Sequence, residues 1–500
     1  MNYEVLSQAM ALVATPQAIA AILLSAAYGL LVGCIPGLSA TMATALLVPV
    51  TFFLPPIPAV AAIVTASAMA IFAGDIPGAL LRIPGTPASA AYVNESYALT
   101  MKGFPELALG TGLWFSVLGG LVGTAVMVLM SQPLAEIALG FGSFEFFWLV
   151  VLGLSAAAFV GSEDVTKALV MLMLGLAISC IGIDNPSGVQ RYSFGNPELL
   201  SSFGLIPIMV GLFAVAEVLR AVVDLLPPAR PPEQPIGNVM KGMWRLTRQY
   251  KWSFWRGSLL GTVVGIQPGS GPDMAAWMSY AVSKKMSREP EKFGTGHVEG
   301  IIESGAANNS ALAGAWIPAV VFGIPGDTIT AIAIGVLYMK GLNPGPTLFT
   351  ENPQNIYAIF LVFAIANLLM LPFGWMVIKA AKNIIKVPRR LLLPAILAFC
   401  ATGAFATNNS LFDVGVVLAF GVLGYVLDDN GFPVAPMVLG VVLGTLLEET
   451  FITSLMKADG DPLVFFTRPI AGTLAALTAI VFLVPLLRCL ARLRRPAASQ

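Results

Sequence analysis

The chain has 500 residues, 57% of them hydrophobic and only 11% charged, with mean hydropathy +0.83. Soluble globular domains carry roughly 25% charged residues, so an ordinary soluble enzyme is excluded. The 27 Lys and Arg cancel the 27 Asp and Glu, which leaves no basic field for nucleic acid and no acidic tail; a polytopic membrane protein is the class that remains.

Apolar runs fall at roughly 17–34, 38–54, 57–73, 107–130, 133–160, 166–183, 203–226, 257–283, 301–323, 327–340, 355–378, 391–407, 411–427, 432–450 and 470–488. The runs 38–54 and 327–340 each abut a Pro-Gly pair and are short for a bilayer, so they are expected to be half-helices or re-entrant hairpins. The expected fold is therefore an all-α polytopic membrane protein with about 11–13 transmembrane helices, some of them broken. No Lys or Arg precedes the first run, so the charged start of a cleaved signal peptide is absent and the first span is expected to stay in the mature chain.

The substantial polar connection is 227–256. Pro227, Pro228, Pro231, Pro232 and Pro235 stop any helix, and an amphipathic stretch at Lys241–Trp255 suits the membrane surface. It divides the chain into a first membrane repeat (1–226), a cytoplasmic Pro-rich basic linker (227–256) and a second repeat with C-terminal helices (257–500). Three landmarks recur in order. Gly29–Gly37 (GLLVGCIPG) matches Gly261–Gly269 (GTVVGIQPG) at 232 residues, Ile83–Thr86 (IPGT) matches Ile324–Asp327 (IPGD) at 241, and Met101–Gly103 matches Met339–Gly341 at 238.

Charge orients the two copies. No basic residue precedes Arg82, whereas Arg230, Lys241, Arg245, Arg248, Lys251 and Arg256 precede the second copy against one acid, Glu233. By the positive-inside rule the copies enter the membrane from opposite sides, the pattern of an inverted-topology repeat. Basic clusters at Lys379–Arg390 and Arg488–Arg495 bracket four spans, which places the C-terminus in the cytoplasm.

A helix broken inside a membrane frees backbone groups that lipid cannot satisfy, so each break must face protein, water or ligand. Amide dipoles at the restarted helix suit a carboxylate, and freed carbonyls suit a cation. The candidate substrate- or ion-binding residues are Gly37, Ser39 and Thr41; Gly85, Thr86 and Ser89; Gly269, Ser270 and Asp273; and Gly326, Asp327 and Thr328. The alternative is plain capping of the new helix by Ser, Thr or Asp. Asn308 and Asn309 complete the set, since adjacent carboxamides offer acceptors to an ion and donors to a carboxylate; interhelical hydrogen bonding is their other reading.

Other residues carry blander expectations. Glu299 and Glu303 share a helix face at the edge of a polar loop and read as solvated. His297 reads as a loop residue. Arg82 pairs either with Asp75 or with a substrate. One histidine and four scattered cysteines, Cys34, Cys180, Cys400 and Cys489, give no basis for a metal site, a disulfide framework or a nucleophilic triad, so an enzyme is not expected. Asp428-Asp429, in its Asn-Gly-Phe-Pro context, reads as a turn.

Together these landmarks resemble the large, TctA-like membrane subunit of the tripartite tricarboxylate transporters. The resemblance rests on Gly33–Pro49, Ile83–Ala91, Gly265–Tyr280, Phe293–Asn309, Phe322–Leu348 and Phe432–Glu448. It implies a permease that works with a small four-span membrane subunit and a periplasmic solute-binding protein in the bacterial inner membrane. Such a permease imports organic di- or tricarboxylates, coupled to Na⁺ or H⁺ and without a cofactor. The chain departs from the family pattern at Phe72–Asp75, usually Tyr-Gly-Gly-Ser, at Asp327, usually Ser, and at Gly305, usually acidic. A channel or a membrane-embedded enzyme using the same breaks is the alternative.

Overall fold

The computed structural model describes residues 3–36, 38–159, 164–183, 188–223, 236–384 and 389–493. Gly37, Arg230, Glu233, Lys386 and the last arginines of the C-terminal cluster lie outside the described residues. Among the described residues the chain is helical apart from turns and one isolated bridge between Gly182 and Arg191. It forms two compact units, residues 1–136 with 206–426, and residues 137–205 with 427–500.

In the first unit the helices run α1 (Tyr3–Val13), α2 (Pro16–Gly33), α3 (Ala40–Thr51), α4 (Pro56–Ala73), α5 (Asp75–Leu81), α6 (Pro87–Ala90), α7 (Val93–Met101) and α8 (Pro105–Ala138), the last ending at the unit boundary. In the second unit, α9 (Ser143–Phe159) and α10 (Val165–Ser179) follow. The chain re-enters the first unit through α11 (Leu205–Met209), a π-helical turn at Val210–Val215 and α12 (Ala216–Val223). It continues with α13 (Met243–Gln249), α14 (Lys251–Ile266), α15 (Gly271–Met286), α16 (Val298–Phe322), α17 (Thr328–Met339), α18 (Leu348–Glu351), α19 (Pro353–Ile384), α20 (Arg389–Asn408) and α21 (Leu411–Asp429). The second unit closes with α22 (Val434–Lys457), α23 (Val464–Thr467) and α24 (Pro469–Leu493).

Seven described helices are long and apolar enough to cross a membrane, and six shorter apolar ones accompany them. The two runs expected to be half-helices are α3 and α17, of 12 residues each. At 1.5 Å per residue each spans about 18 Å, well short of a hydrocarbon core of about 30 Å. The runs 107–130 and 133–160 divide differently from the expectation, because α8 continues through Pro133 to Ala138. A proline removes one hydrogen bond, and helices in apolar surroundings tolerate this where neighbours re-satisfy the freed carbonyl. The stretch Lys241–Trp255 is likewise split, with α13 ending at Gln249 and α14 starting at Lys251.

Small residues decide which helices approach closely in the first unit. On α2, Gly29 and Gly33 sit against the backbones of Ala66 and Ala70 on α4; on α14, Gly257, Gly261 and Gly265 sit against Glu303, Ala307 and Ala311 on α16. A methyl group at any of these glycines collides with a facing backbone carbonyl, so the glycines set the helix separation. The sequence repeat is thus repeated in packing, since Gly29, Gly33, Ala66 and Ala70 correspond to Gly261, Gly265, Ala307 and Ala311 at the offsets 232 and 241. The central helices of the two copies, α4 and α16, are buried along nearly their whole length.

The second unit is held by the same device and by aromatic packing. Gly175 on α10 meets the Met437 carbonyl of α22, and Gly440 on α22 meets Leu172. Phe465 stacks edge to face with Phe144 and with Phe147, centroids 5.2 Å apart in each pair, a preferred aromatic arrangement. Arg191 and Glu448 form an ion pair at 2.6 Å.

Candidate functional site

Four chain breaks lie in the first unit, and each has a local cause. After α2 the chain turns at Cys34–Pro36, and Ser39 restarts it by accepting a hydrogen bond from the Met42 amide at 3.1 Å. After α14 it turns at Gln267–Gly269 and restarts at Gly271, where φ is +54°, a left-handed conformation that only glycine adopts without strain. The two Ile-Pro-Gly breaks restart through identical capping boxes. Thr86 accepts from the Ser89 amide and Ser89 returns to the Thr86 amide, while Asp327 and Thr330 do the same 241 residues later.

Glycine brings the breaks together. Gly85 lies on Gly74 and on the Gly33 carbonyl, and Gly326 lies on Ala315 and on the Gly265 carbonyl; these are again matching positions. The Gly85 amide donates to the Gly74 carbonyl at 3.0 Å, and the Gly269 amide to the Gly326 carbonyl at 2.8 Å. Contacts also cross between the copies. The Thr41 and Thr328 hydroxyls are 3.1 Å apart, Asp273 accepts from the Ala88 amide at 2.9 Å, and the Trp277 indole donates to the Pro87 carbonyl at 3.1 Å. The restarted ends of all four breaks therefore meet in one region.

Of the sequence-derived candidates, Ser39, Thr41, Gly85, Thr86, Ser89, Gly269, Asp273, Gly326, Asp327 and Thr328 are engaged in this meeting of breaks or in capping its helices. Ser270 is buried there with its hydroxyl unpartnered. Gly37 lies outside the described residues. Asn309 donates weakly to the Ala68 carbonyl, at 3.4 Å, and its oxygen has no partner. Ala68 is the residue that corresponds to Asn309 in the other copy, so the two copies touch here through equivalent positions. Asn308 is fully buried beside the Tyr92 hydroxyl, and neither of its amide atoms makes a well-formed hydrogen bond. Unpartnered buried polar groups are costly, about 1–3 kcal/mol each, and each calls for a partner such as an ordered water or a bound polar group.

Two expectations are corrected and one is extended. Glu299 and Glu303 are not solvated: Glu303 has no exposure and binds the Arg256 guanidinium through both oxygens, while Glu299 accepts from Ser253 and Ser287 at 2.6 Å each. The sequence pattern failed because Arg256 is 47 residues away from Glu303 and α14 brings it back. His297 lies in the loop before α16 as expected, but it is buried there and caps that helix, its Nδ1 accepting from the Glu299 amide at 3.2 Å. Arg82 does not pair with Asp75: it donates to Asn94, and both are exposed.

Two participants escaped sequence reading. Tyr92 donates from its phenol to Asp75 at 2.6 Å, and nothing in a Tyr between short helices advertises that. Glu95, with no exposure, accepts from the Gly294, Gly296 and His297 amides and from Tyr280, and so ties α7 to the loop before α16. The glycines at 294 and 296, both at positive φ, were the available signal for an anion-holding turn.

A profile of the family described as "Tripartite tricarboxylate transporter TctA family" matches residues 19–439. The chain is 34% identical over 466 residues to an uncharacterised 52.8 kDa protein in the TAR-I ttuC' 3' region of Agrobacterium vitis, covering 92% of each chain. It is 37% identical over 227 residues to an uncharacterised protein in the TAR-II ttuC' 3' region of the same organism, covering 45% of this chain and 94% of that one. No solved structure matches.

Proposed function

The chain belongs to the TctA family of tripartite tricarboxylate transporters, and from that premise we propose that it is the large permease subunit of a binding-protein-dependent secondary transporter for organic carboxylates. It works with a small four-span membrane subunit and a periplasmic solute-binding protein in the bacterial inner membrane, with its C-terminus in the cytoplasm, and it draws on an ion gradient. The observation that carries this reading is the meeting of four helix restarts, marked by the Thr41–Thr328 and Asp273–Ala88 contacts. Restarted helices present amide donors and the positive ends of their dipoles, which suit a carboxylate. The opposite charge bias of the two copies supports an inverted repeat, so that rocking of one copy against the other exposes the region alternately to each side. Belonging to a transporter family argues against an enzyme, and the breaks then serve binding.

The test is to identify the ligand that copurifies with the cognate binding protein and to measure its uptake by the reconstituted three-component system. A di- or tricarboxylate taken up only when all three components are present is the expected result. A neutral or cationic ligand contradicts the reading.

A further inference from the structure

Asp75 starts α5 at the point where α4 is interrupted, and it is 6% exposed. Its Oδ1 accepts the Tyr92 hydroxyl at 2.6 Å, while its Oδ2 is buried without a partner. Among the described residues no Lys, Arg or His lies within ion-pair distance of it. The groups that face it are Tyr92 from the turn before α7, the Gly112 backbone of α8, 3.5 Å from Oδ2 as measured to the position a methyl would take, and Thr86 packed on the adjoining Gly74. The charged groups on the neighbouring elements are committed elsewhere: Arg82 to Asn94, Asp273 to Ala88, Glu95 to Tyr280 and the loop amides, Glu303 to Arg256, and Glu106 beside Gly237.

An ionised carboxylate buried with no cation and one empty oxygen is uncompensated, and such a group is stable only when neutralised. The neighbouring chemistry accommodates both forms. Asn308, beside the Tyr92 phenol, carries an unfilled donor and an unfilled acceptor on one side chain. Its NH₂ and carbonyl oxygen can donate to or accept from the Tyr92 phenol, which in turn holds Asp75, so the phenol can adjust to either form of the carboxyl. Ser116 on α8 and Ser304 on α16 are buried with unpartnered hydroxyls as well, and Ser116 faces Gly305, one residue on from Ser304. This polar seam is distinct from the hydrogen bonds that cap the helix restarts, and Asp75 is its carboxylate.

We propose that Asp75, with Tyr92 and Asn308, forms a proton-binding site in the interior of the permease, and that loading and unloading of this carboxyl couples carboxylate uptake to the proton gradient. In the step itself one proton binds Oδ2 and later leaves it; no other bond changes. The coupling half of the proposal rests on the transport reading above, whereas the proton site does not.

Infrared difference spectroscopy on the full-length protein in lipid vesicles tests the site without any substrate. A protonated-carboxyl C=O band should grow on acidification, be lost in Asp75→Asn, and be unaffected when Na⁺ replaces K⁺. Tyr92→Phe should keep the band but move it to higher frequency, because the carbonyl loses its phenol donor; this variant keeps the test open if Asp75→Asn does not insert. Absence of a pH-dependent band, a band unmoved in Tyr92→Phe, or displacement of the band by Na⁺ overturns the proposal. In the reconstituted complex, uptake of labelled citrate or succinate driven by an inside-alkaline gradient should be lost in Asp75→Asn while exchange without a gradient persists. Loss of both or of neither overturns the coupling role. Failure of the wild-type complex to move any carboxylate would instead overturn the transport reading and leave the spectra to decide the site.

Discussion

The two copies within the first unit share a skeleton and differ in chemistry. Each has a helix ending at a Pro-Gly break, a half-helix or short helix, a buried central helix and an Ile-Pro-Gly break closed by a capping box. The central helices diverge at matching positions: α4 carries Ser67 and Ala68 where α16 carries Asn308 and Asn309, and Asp75 stands where α16 has the fully buried Trp316. One copy therefore contributes a carboxylate and the other two carboxamides to the polar groups of the interior. Packing positions are held by backbone geometry and stay matched, because a glycine against a carbonyl has no substitute. Positions that face the polar interior are free to specialise.

The largest effect is expected where the shared skeleton is broken. Gly261→Leu places a side chain into the Ala307 carbonyl and Ser310 hydroxyl, so α14 cannot close on α16, and the variant should fail to yield folded protein in detergent. Gly29→Leu, at the matching position in the other copy, should fail in the same way, whereas Gly415→Ala, which meets nothing within 4 Å, should retain the wild-type melting temperature. Tolerance of Gly261→Leu breaks the claim that the copies pack alike.

A second contrast separates chemistry from packing. Asn308→Ala and Asn309→Ala remove groups that hold almost nothing in place, so uptake should be abolished while thermal stability changes by less than about 1 kcal/mol. A stability loss that precedes the transport defect makes the pair interhelical glue instead.

A smaller effect is expected at the tie between copies. Glu95→Gln weakens a carboxylate that holds three loop amides and a phenol. Hydrogen bonds to a charged group contribute about 1.5–3 kcal/mol, so exchange of the amides around Gly294–His297 should accelerate by roughly ten- to a hundredfold by hydrogen-exchange mass spectrometry. Unchanged exchange sharpens the account by assigning the loop's order to other contacts.

The smallest effect is expected where the copies are most alike. Asp327→Ser keeps a capping oxygen, and Ser and Asp cap about equally well, so stability should be unchanged. Under capping alone, the cation and pH dependence of uptake should also be unchanged. An altered ion dependence would give Asp327 a role that Thr86 does not have.

Much of this was legible in the sequence because backbone breaks leave a strong mark. Pro-Gly pairs at fixed offsets, short apolar runs behind them and a hydroxyl or Asp at the restart located α3, α17 and both capping boxes. What was not legible depends on partners distant in the chain. Glu303 looks solvated until α14 returns Arg256 to it. Asp75 looks like a partner for Arg82 until the turn at Ala91–Tyr92 delivers a phenol instead. His297 is the loop residue its sequence suggests, but its burial and its capping of α16 depend on a helix and neighbours that the sequence does not place beside it.

The central claim is that helix restarts from both copies meet in one binding region, and a disulfide tests it most directly. With Cys34, Cys180, Cys400 and Cys489 replaced, Thr41→Cys and Thr328→Cys put two thiols where two hydroxyls now lie 3.1 Å apart, within bridging geometry. Oxidation in native membranes should cross-link them, the cross-link should stop uptake, and a saturating carboxylate substrate should slow its formation. Thiols that stay reduced under oxidant, or a cross-linked protein that transports at the wild-type rate, would contradict the account.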